Sequence, residues 1–296
     1  MEGIDHLPQR KQEELARVAR ILFEEFDAAR LSKLKDELRN AKILKIILFG
    51  SYARGGWVED RKSGYRSDYD LLIVVNSHSV TETADYWENA SERFVRELTI
   101  TKQLETPVNF IVHSLHEVND QLARGRPFFV DIARDGIPLY EVPGHTLASP
   151  RQLSPDDARQ EAQRNFDQWY PSAANYLKHA LIAIGDDTNK EAAFFLHQST
   201  EQLYHCVLQV LTLYSPKSHR LSALRSHAER VDQRLVDAWP RDTKFSRRCF
   251  SNLDRAYVEA RYSAKYTISE EELSWIVKQV ALLQTIVKAI CSERLR

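Results

Sequence analysis

The chain has 296 residues, with 41 Lys plus Arg set against 42 Asp plus Glu for a net charge of −1. A composition 43% apolar and 28% charged, with 9 Gly and 10 Pro, excludes collagen-like, low-complexity and disordered classes, and the length points to two domains. Residues 1–150 hold 20 basic and 24 acidic side chains and residues 151–296 hold 21 and 18, so neither half coats nucleic acid by bulk charge, although a local basic patch stays open.

Residues 9–30 set Leu15, Val18, Leu22, Phe26 and Ala29 at three- and four-residue steps among charges, which predicts an amphipathic helix. Ile43 to Phe49 and Asp70 to Val75 are β-branched and aromatic runs that read as strands, with Pro107 to Val112 a third and 136–140 extended. Helices are expected over 81–99, 115–124 and 128–134, giving a mixed α and β order. The stretch VPGHTLASPRQLS has no apolar periodicity and reads as a linker, which divides the chain into 1–142, a linker 143–154, and 155–296. Beyond it strand signals nearly vanish. Ser154-Pro155-Asp156-Asp157 opens a helix expected to run to Ile184 with a kink or break at Pro171. Helical periodicity returns over 191–213, 219–237 and 245–261, and Ser269 and Glu272 form a capping box before a last helix. The expected fold is an α+β domain with a small mixed sheet, followed by an all-α bundle.

Three cysteines, Cys206, Cys249 and Cys291, are odd in number and far apart, which suits a reducing compartment. No signal-like apolar core opens the chain and no uninterrupted apolar run reaches membrane-spanning length, so a cytoplasmic protein without a membrane partner is expected.

Chemistry concentrates in IILFGSYARGGWVEDRKSGYRSDYDLLIVV, residues 46–75. Gly50 permits a tight turn at the strand end, Ser51 and neighbouring amides can hold a phosphate, and Arg54 adds a positive charge. Asp68 and Asp70 are two apart, so in extended chain both project to one side and can grip a hard cation such as Mg²⁺. The plainer alternative is a pair of Asp residues capping a solvated turn.

FGSYARG followed by SDYDLLIV resembles the GS…DxD signature of the nucleotidyltransferases of the DNA polymerase β superfamily, in particular the minimal nucleotidyltransferases. The resemblance implies that Gly50 and Ser51 bind the triphosphate, Asp68 and Asp70 bind Mg²⁺, and a third carboxylate on a later strand helps activate the acceptor hydroxyl. Asn109 stands where that third acid is expected, and Glu105 and Asp131 are the substitutes considered. The connection from Ser51 to Asp68 is long, and Gly56 to Tyr65 reads as an inserted hairpin or loop.

The second domain resembles the HEPN family, on Ala193 to Tyr204 (AFFLHQSTEQLY), His219-Arg220-Leu221 and Ala260-Arg261-Tyr262. HEPN ribonucleases carry an Arg and then a His after four to six residues, whereas the run from Arg261 through Tyr262 ends at Tyr266 here. A phenol is a poor acid–base group at neutral pH, so no metal-free ribonuclease activity is expected. Arg220 and His227 meet the bare spacing by chance. His197, Glu201 and His205 recur on one helix face and read as a polar seam more than a metal site. Arg241, Lys244, Arg247 and Arg248 form a basic cluster, either a solvated face or an RNA contact, while Trp169, Tyr170 and Tyr176 read as core.

Together the resemblances imply an Mg²⁺-dependent nucleotidyltransferase that takes ATP and modifies a hydroxyl, on a protein tyrosine such as Tyr262 or Tyr266 in a toxin–antitoxin setting, or on a small molecule. A homodimer through the helical domain is expected with them. A binding or regulatory module without turnover is the second reading, motivated by Asn109 and Tyr266, and RNA cleavage is the third.

Overall fold

The computed structural model describes residues 3–31, 35–59, 66–81 and 86–296. The chain forms two compact units, Met1–Gln152 and Leu153–Arg296.

In the first unit α1 (Gln9–Leu31) presents Leu15, Val18, Leu22, Phe26 and Ala29 as its buried stripe, and a single turn α2 (Asp36–Arg39) follows. All seven residues of β1 (Ile43–Phe49) and all seven of β2 (Tyr69–Val75) are buried, including two charged residues, Asp70 and Lys45, the latter paired with Glu141. The four-residue helix α3 (Gly50–Ala53) starts directly at the end of β1. Helix α4 (Glu88–Thr99) is the crossover that lets β3 (Val108–Ser114) pair parallel to β2, with α5 (Leu115–Ala123), α6 (Pro127–Asp135) and β4 (Ile137–Glu141) after it. The sheet order is β3-β2-β1-β4, with β1 antiparallel to both neighbours, which makes the sheet mixed. Odd-numbered side chains of β2 (Tyr69, Leu71, Ile73, Val75) join the α1 stripe in one core, so the even-numbered ones face the other way.

One expectation changes here. The helix predicted from 81 begins at Glu88, with 82–85 outside the described residues. Within the segment read as a linker, where the two units divide at Gln152/Leu153, the Ala148 N–H donates to Asn119 Oδ1 at 2.7 Å and the Arg151 N–H to the Leu122 carbonyl at 3.0 Å. Short polar chain without periodicity can still be fixed by its main-chain hydrogen bonds.

The second unit is a helical bundle of α7 (Pro155–Gly185), α8 (Asn189–Thr212), α9 (Leu221–Val231), α10 (Lys244–Tyr262) and α11 (Glu270–Leu295). Pro171 does not break α7, which stays helical throughout. The proline is exposed, while Ala162, Ala173, Ala180 and Ala183 on the inner side are buried. Close packing of small residues offsets the roughly 3 kcal/mol that an interior proline costs. The helix predicted over 219–237 splits instead, because the Asp232 side chain accepts the Arg234 N–H and starts a 3₁₀ turn, Gln233–Ala238. Capping boxes Thr243/Ser246 and Ser269/Glu272 open α10 and α11. By length and composition alone α11 could cross a bilayer, although Lys278, Gln279, Gln284 and Lys288 interrupt its apolar residues. Its Leu273, Ile276, Val280, Leu283, Val287 and Ile290, at three- and four-residue steps, are core side chains of the bundle.

Candidate functional site

Gly50 turns the chain at the end of β1 with φ of +76°, a conformation that strains any residue with a Cβ. A Cβ built there would lie 2.7 Å from Asp70 Oδ2, so the glycine also makes room for the carboxylate. Ser51 follows in the first turn of α3, half-buried beside Tyr52, whose ring stacks on Trp57 at 5.4 Å. The register places Asp70 opposite Phe49 on one side and opposite Asn109 on the other. Asp70 is 3% exposed. Asp68, one pleat earlier on the same face, accepts a hydrogen bond from Asn109 Nδ2 at 2.8 Å. Gly50, Asp68, Asp70 and Asn109 thus meet at one corner of the sheet, with Ser51 adjoining.

The remaining predicted residues lie elsewhere. Arg54 caps the C-terminus of α3, is exposed, and helps hold Asp135 below the usual carboxylate range, a shift due first to the Arg134 hydrogen bond. Glu105 pairs with Arg10, and Asp131 pairs with Arg134 at 2.9 Å. Neither stands in the register that sets Asp70 opposite Asn109: Glu105 precedes β3 and Asp131 lies on α6. Among the described residues no group of three or more His, Cys, Asp or Glu is placed to hold a metal ion. The proposed insertion lies partly outside the described residues, 60–65, flanked by a bridge between Glu59 and Arg66.

A buried polar network behind this corner escaped sequence reading. Lys11 and Glu14 stand on the apolar side of α1, 7% and 6% exposed, and bind Tyr69, Thr106 and Glu59. The Lys11 hydrogen bond holds Glu59 below the usual carboxylate range. The available signal was two charges on the stripe that continues through Leu15 and Val18.

In the helical unit the motif residues separate. Arg261 sits in the last turn of α10, where Nε donates to the Tyr257 carbonyl at 2.7 Å and the guanidinium lies 4.4 Å from the Tyr257 ring, 5.1 Å from Phe194 and 5.0 Å from Tyr262. Tyr262 is 77% exposed. Tyr266 is 3% exposed and its hydroxyl donates to the Asn252 carbonyl at 3.1 Å, with burial raising its pKa. As a candidate acceptor Tyr266 is therefore corrected: its oxygen is spent inside the fold.

His197, Glu201 and His205 do form a seam, completed by His219, which the sequence offers only as part of the HEPN resemblance. Glu201 Oε1 accepts from His219 Nδ1 at 3.1 Å, Gln198 Nε2 donates to Oε2 at 3.1 Å, and His219 stacks on Tyr257 at 4.3 Å. Burial pushes His197 and His205 down to about 4 and raises Glu201. His197 meets the His219 carbonyl at 3.0 Å and His205 meets Ser215 Oγ at 2.6 Å. The basic cluster is largely paired: Arg241 with Glu229 at 2.5 Å and Arg248 with Glu272 at 2.8 Å, while Arg247 donates to the Arg241 carbonyl. Lys244 begins α10. Trp169 and Tyr170 pack against the core and Tyr176 stacks on Phe195 at 6.4 Å. His227 is driven down to about 3 by burial, and Arg220, seven residues before it, is exposed.

Comparison with known families identifies both units. The family described as Polymerase beta, Nucleotidyltransferase matches residues 32–122, and the HEPN domain family matches residues 166–290. No curated protein matches the chain. The chain is a fusion of a polymerase-β-type nucleotidyltransferase domain with a C-terminal HEPN domain.

Proposed function

Proceeding from a nucleotidyltransferase domain fused to a HEPN domain, we propose that the first unit binds ATP with Mg²⁺ and transfers its nucleotidyl group to a hydroxyl. The observation that carries this reading is the corner where Asp70 Oδ2 lies against Gly50 while Asp68 and Asn109 are hydrogen-bonded at 2.8 Å. Two carboxylates, one at the entry to β2 and one within it, suit a hard cation with oxygen ligands. A second cation lacks the third carboxylate that would help hold it, because Asn109 is neutral. Asp68 and Asp70 would hold the magnesium ion, which when bound would neutralise charge on the phosphates.

The chain's own groups supply the rest. The turn at Gly50 and Ser51 would seat the triphosphate beside the carboxylates, orienting the α-phosphorus for attack by the acceptor oxygen with pyrophosphate leaving. Asn109 holds Asp68 by its amide. For the acceptor, Tyr262 is the candidate that its exposure supports. Modification there, within one chain or between copies, would make the HEPN domain the target of the nucleotidyltransferase domain, the logic of a toxin–antitoxin pair. A small hydroxylated molecule is the other acceptor class.

The experiment is incubation with Mg²⁺ and α-labelled ATP, following pyrophosphate and protein-bound label, with a doubly substituted Asp68→Ala, Asp70→Ala control. Label lost in the control and in Tyr262→Phe establishes self-modification, and pyrophosphate without label directs the search to small acceptors. The Asn109 amide favours one second reading, a nucleotide-binding module without turnover, which predicts ATP binding and no pyrophosphate.

A further inference from the structure

Helix α1 lies outside residues 32–122, the span that matches the nucleotidyltransferase family, yet it buries two charges. A buried carboxylate persists only where several donors replace its water. Glu14 has them: Oε2 accepts from the Tyr69 hydroxyl at 2.9 Å and the Thr106 hydroxyl at 3.0 Å, Oε1 accepts the Glu105 N–H at 2.8 Å, and Lys11 Nζ stands 3.8 Å away. Lys11 is itself tied to Thr106 at 2.6 Å and Glu59 at 2.5 Å.

The partners of Glu14 flank the candidate site. Tyr69 stands between Asp68 and Asp70, with its side chain on the α1 face, so anchoring it fixes the main chain that projects both carboxylates the other way. Glu105 and Thr106 lead into β3, which carries Asn109, and the Tyr69 N–H donates to the Pro107 carbonyl at 2.8 Å. One carboxylate therefore joins the start of β2 to the approach to β3, directly behind the Asp68–Asn109 hydrogen bond. An apolar residue at 14 would fill the space without fixing a direction. Hydrogen bonds fix the register between the two strands.

We propose that Glu14 is a positioning residue of the nucleotidyltransferase site, setting Asp68 and Asp70 against Asn109 through Tyr69 and Thr106 without touching nucleotide. The proposal rests on Asp68 and Asp70 being cation ligands, as argued under Proposed function. It makes α1 a working part of the site rather than a cover for the sheet.

The test uses the full chain and two variants, Glu14→Gln, whose amide turns a donor toward donors, and Tyr69→Phe, which removes one hydroxyl. Mn²⁺ binding is read by electron paramagnetic resonance with a non-hydrolysable ATP analogue present, at a temperature where circular dichroism shows each protein folded. Mn²⁺ affinity is expected to fall about tenfold in both variants, the lower end of what outer-shell changes cost a metal site. The Mg²⁺ concentration for half-maximal pyrophosphate release rises in step, and saturating Mg²⁺ restores turnover. Lower melting temperature with unchanged Mn²⁺ affinity and unchanged Mg²⁺ dependence, in Tyr69→Phe alone should Glu14→Gln fail to fold, overturns the proposal and leaves Glu14 a packing residue. If the unsubstituted protein binds no Mn²⁺, the cation reading of Asp68 and Asp70 fails, and this proposal with it.

Discussion

The two units carry their motifs differently. In the sheet, Gly50, Asp68, Asp70 and Asn109 converge, because strand pairing fixes Asp70 opposite Asn109 and opposite Phe49. In the bundle, Arg261 and the exposed Tyr262 lie in the last turn of α10 while Tyr266 closes into the core, so the three motif residues do not share one site. Long-range contacts there come from His219 on Glu201 and Tyr257 instead. A ladder of main-chain hydrogen bonds determines which side chains are neighbours, whereas a helix end leaves that to packing.

That contrast can be broken at several points. The largest effect is expected for Asp70→Asn, which keeps shape but removes charge and should lower pyrophosphate release by about 10³-fold, several kcal/mol of lost charge stabilisation. Activity close to normal in that variant would remove the sheet corner from the chemistry. Next is acid sensitivity of the helical unit. His197 and His205 titrate near 4 in the fold, below the usual 6.5 that an unfolded chain keeps, so unfolding takes up protons as pH falls from 6.5 to 4. Each should withdraw up to about 3 kcal/mol across that window, an upper bound. Glu201 acts oppositely, because a raised carboxylate is relieved on protonation, which makes the net loss smaller. Thermal melts of the second unit should therefore fall below pH 6.5, and a double His197→Asn, His205→Asn variant should flatten the dependence.

A smaller effect is expected from Asn109→Asp. It sets a carboxylate against Asp68 where an amide now donates, destabilising the first unit by about 1–2 kcal/mol without Mg²⁺. Calorimetry with Mg²⁺ should recover most of that loss, and a melting point blind to Mg²⁺ would argue against a cation at this corner. The smallest pair concerns the tyrosines. Tyr266→Phe should cost about 1 kcal/mol through the lost bond to Asn252 and leave labelling intact, whereas Tyr262→Phe should leave stability alone and remove the label.

The strands and the corner residues were legible because apolar runs and two-residue spacing map directly onto a sheet. The second unit was legible as helices but not as a site. The fate of Tyr266 depends on the carbonyl of Asn252, fourteen residues earlier, and no periodicity records such a contact. Pro171 misled for a related reason: local propensity predicts a break, and the buried alanines of α7 override it. The network at Glu14 joins residues 14, 69 and 106, a separation that only tertiary folding closes. Asn109 was readable in advance as a departure, while its hydrogen bond to Asp68 was not.

The position of β4 bears on what can be cut from this protein. Residues 32–122 carry the recognisable nucleotidyltransferase, but β1 is sandwiched between β2 and β4, and β4 spans Ile137–Glu141. A fragment trimmed to the recognised span would bare one side of β1 as a row of unpaired amides and carbonyls, and would strip from the sheet the helix that shields it. Exposed apolar edges of that kind recruit other chains. The matched span is thus shorter than the span that folds, and a fragment meant to keep the nucleotidyltransferase domain folded should begin before α1 and end beyond β4.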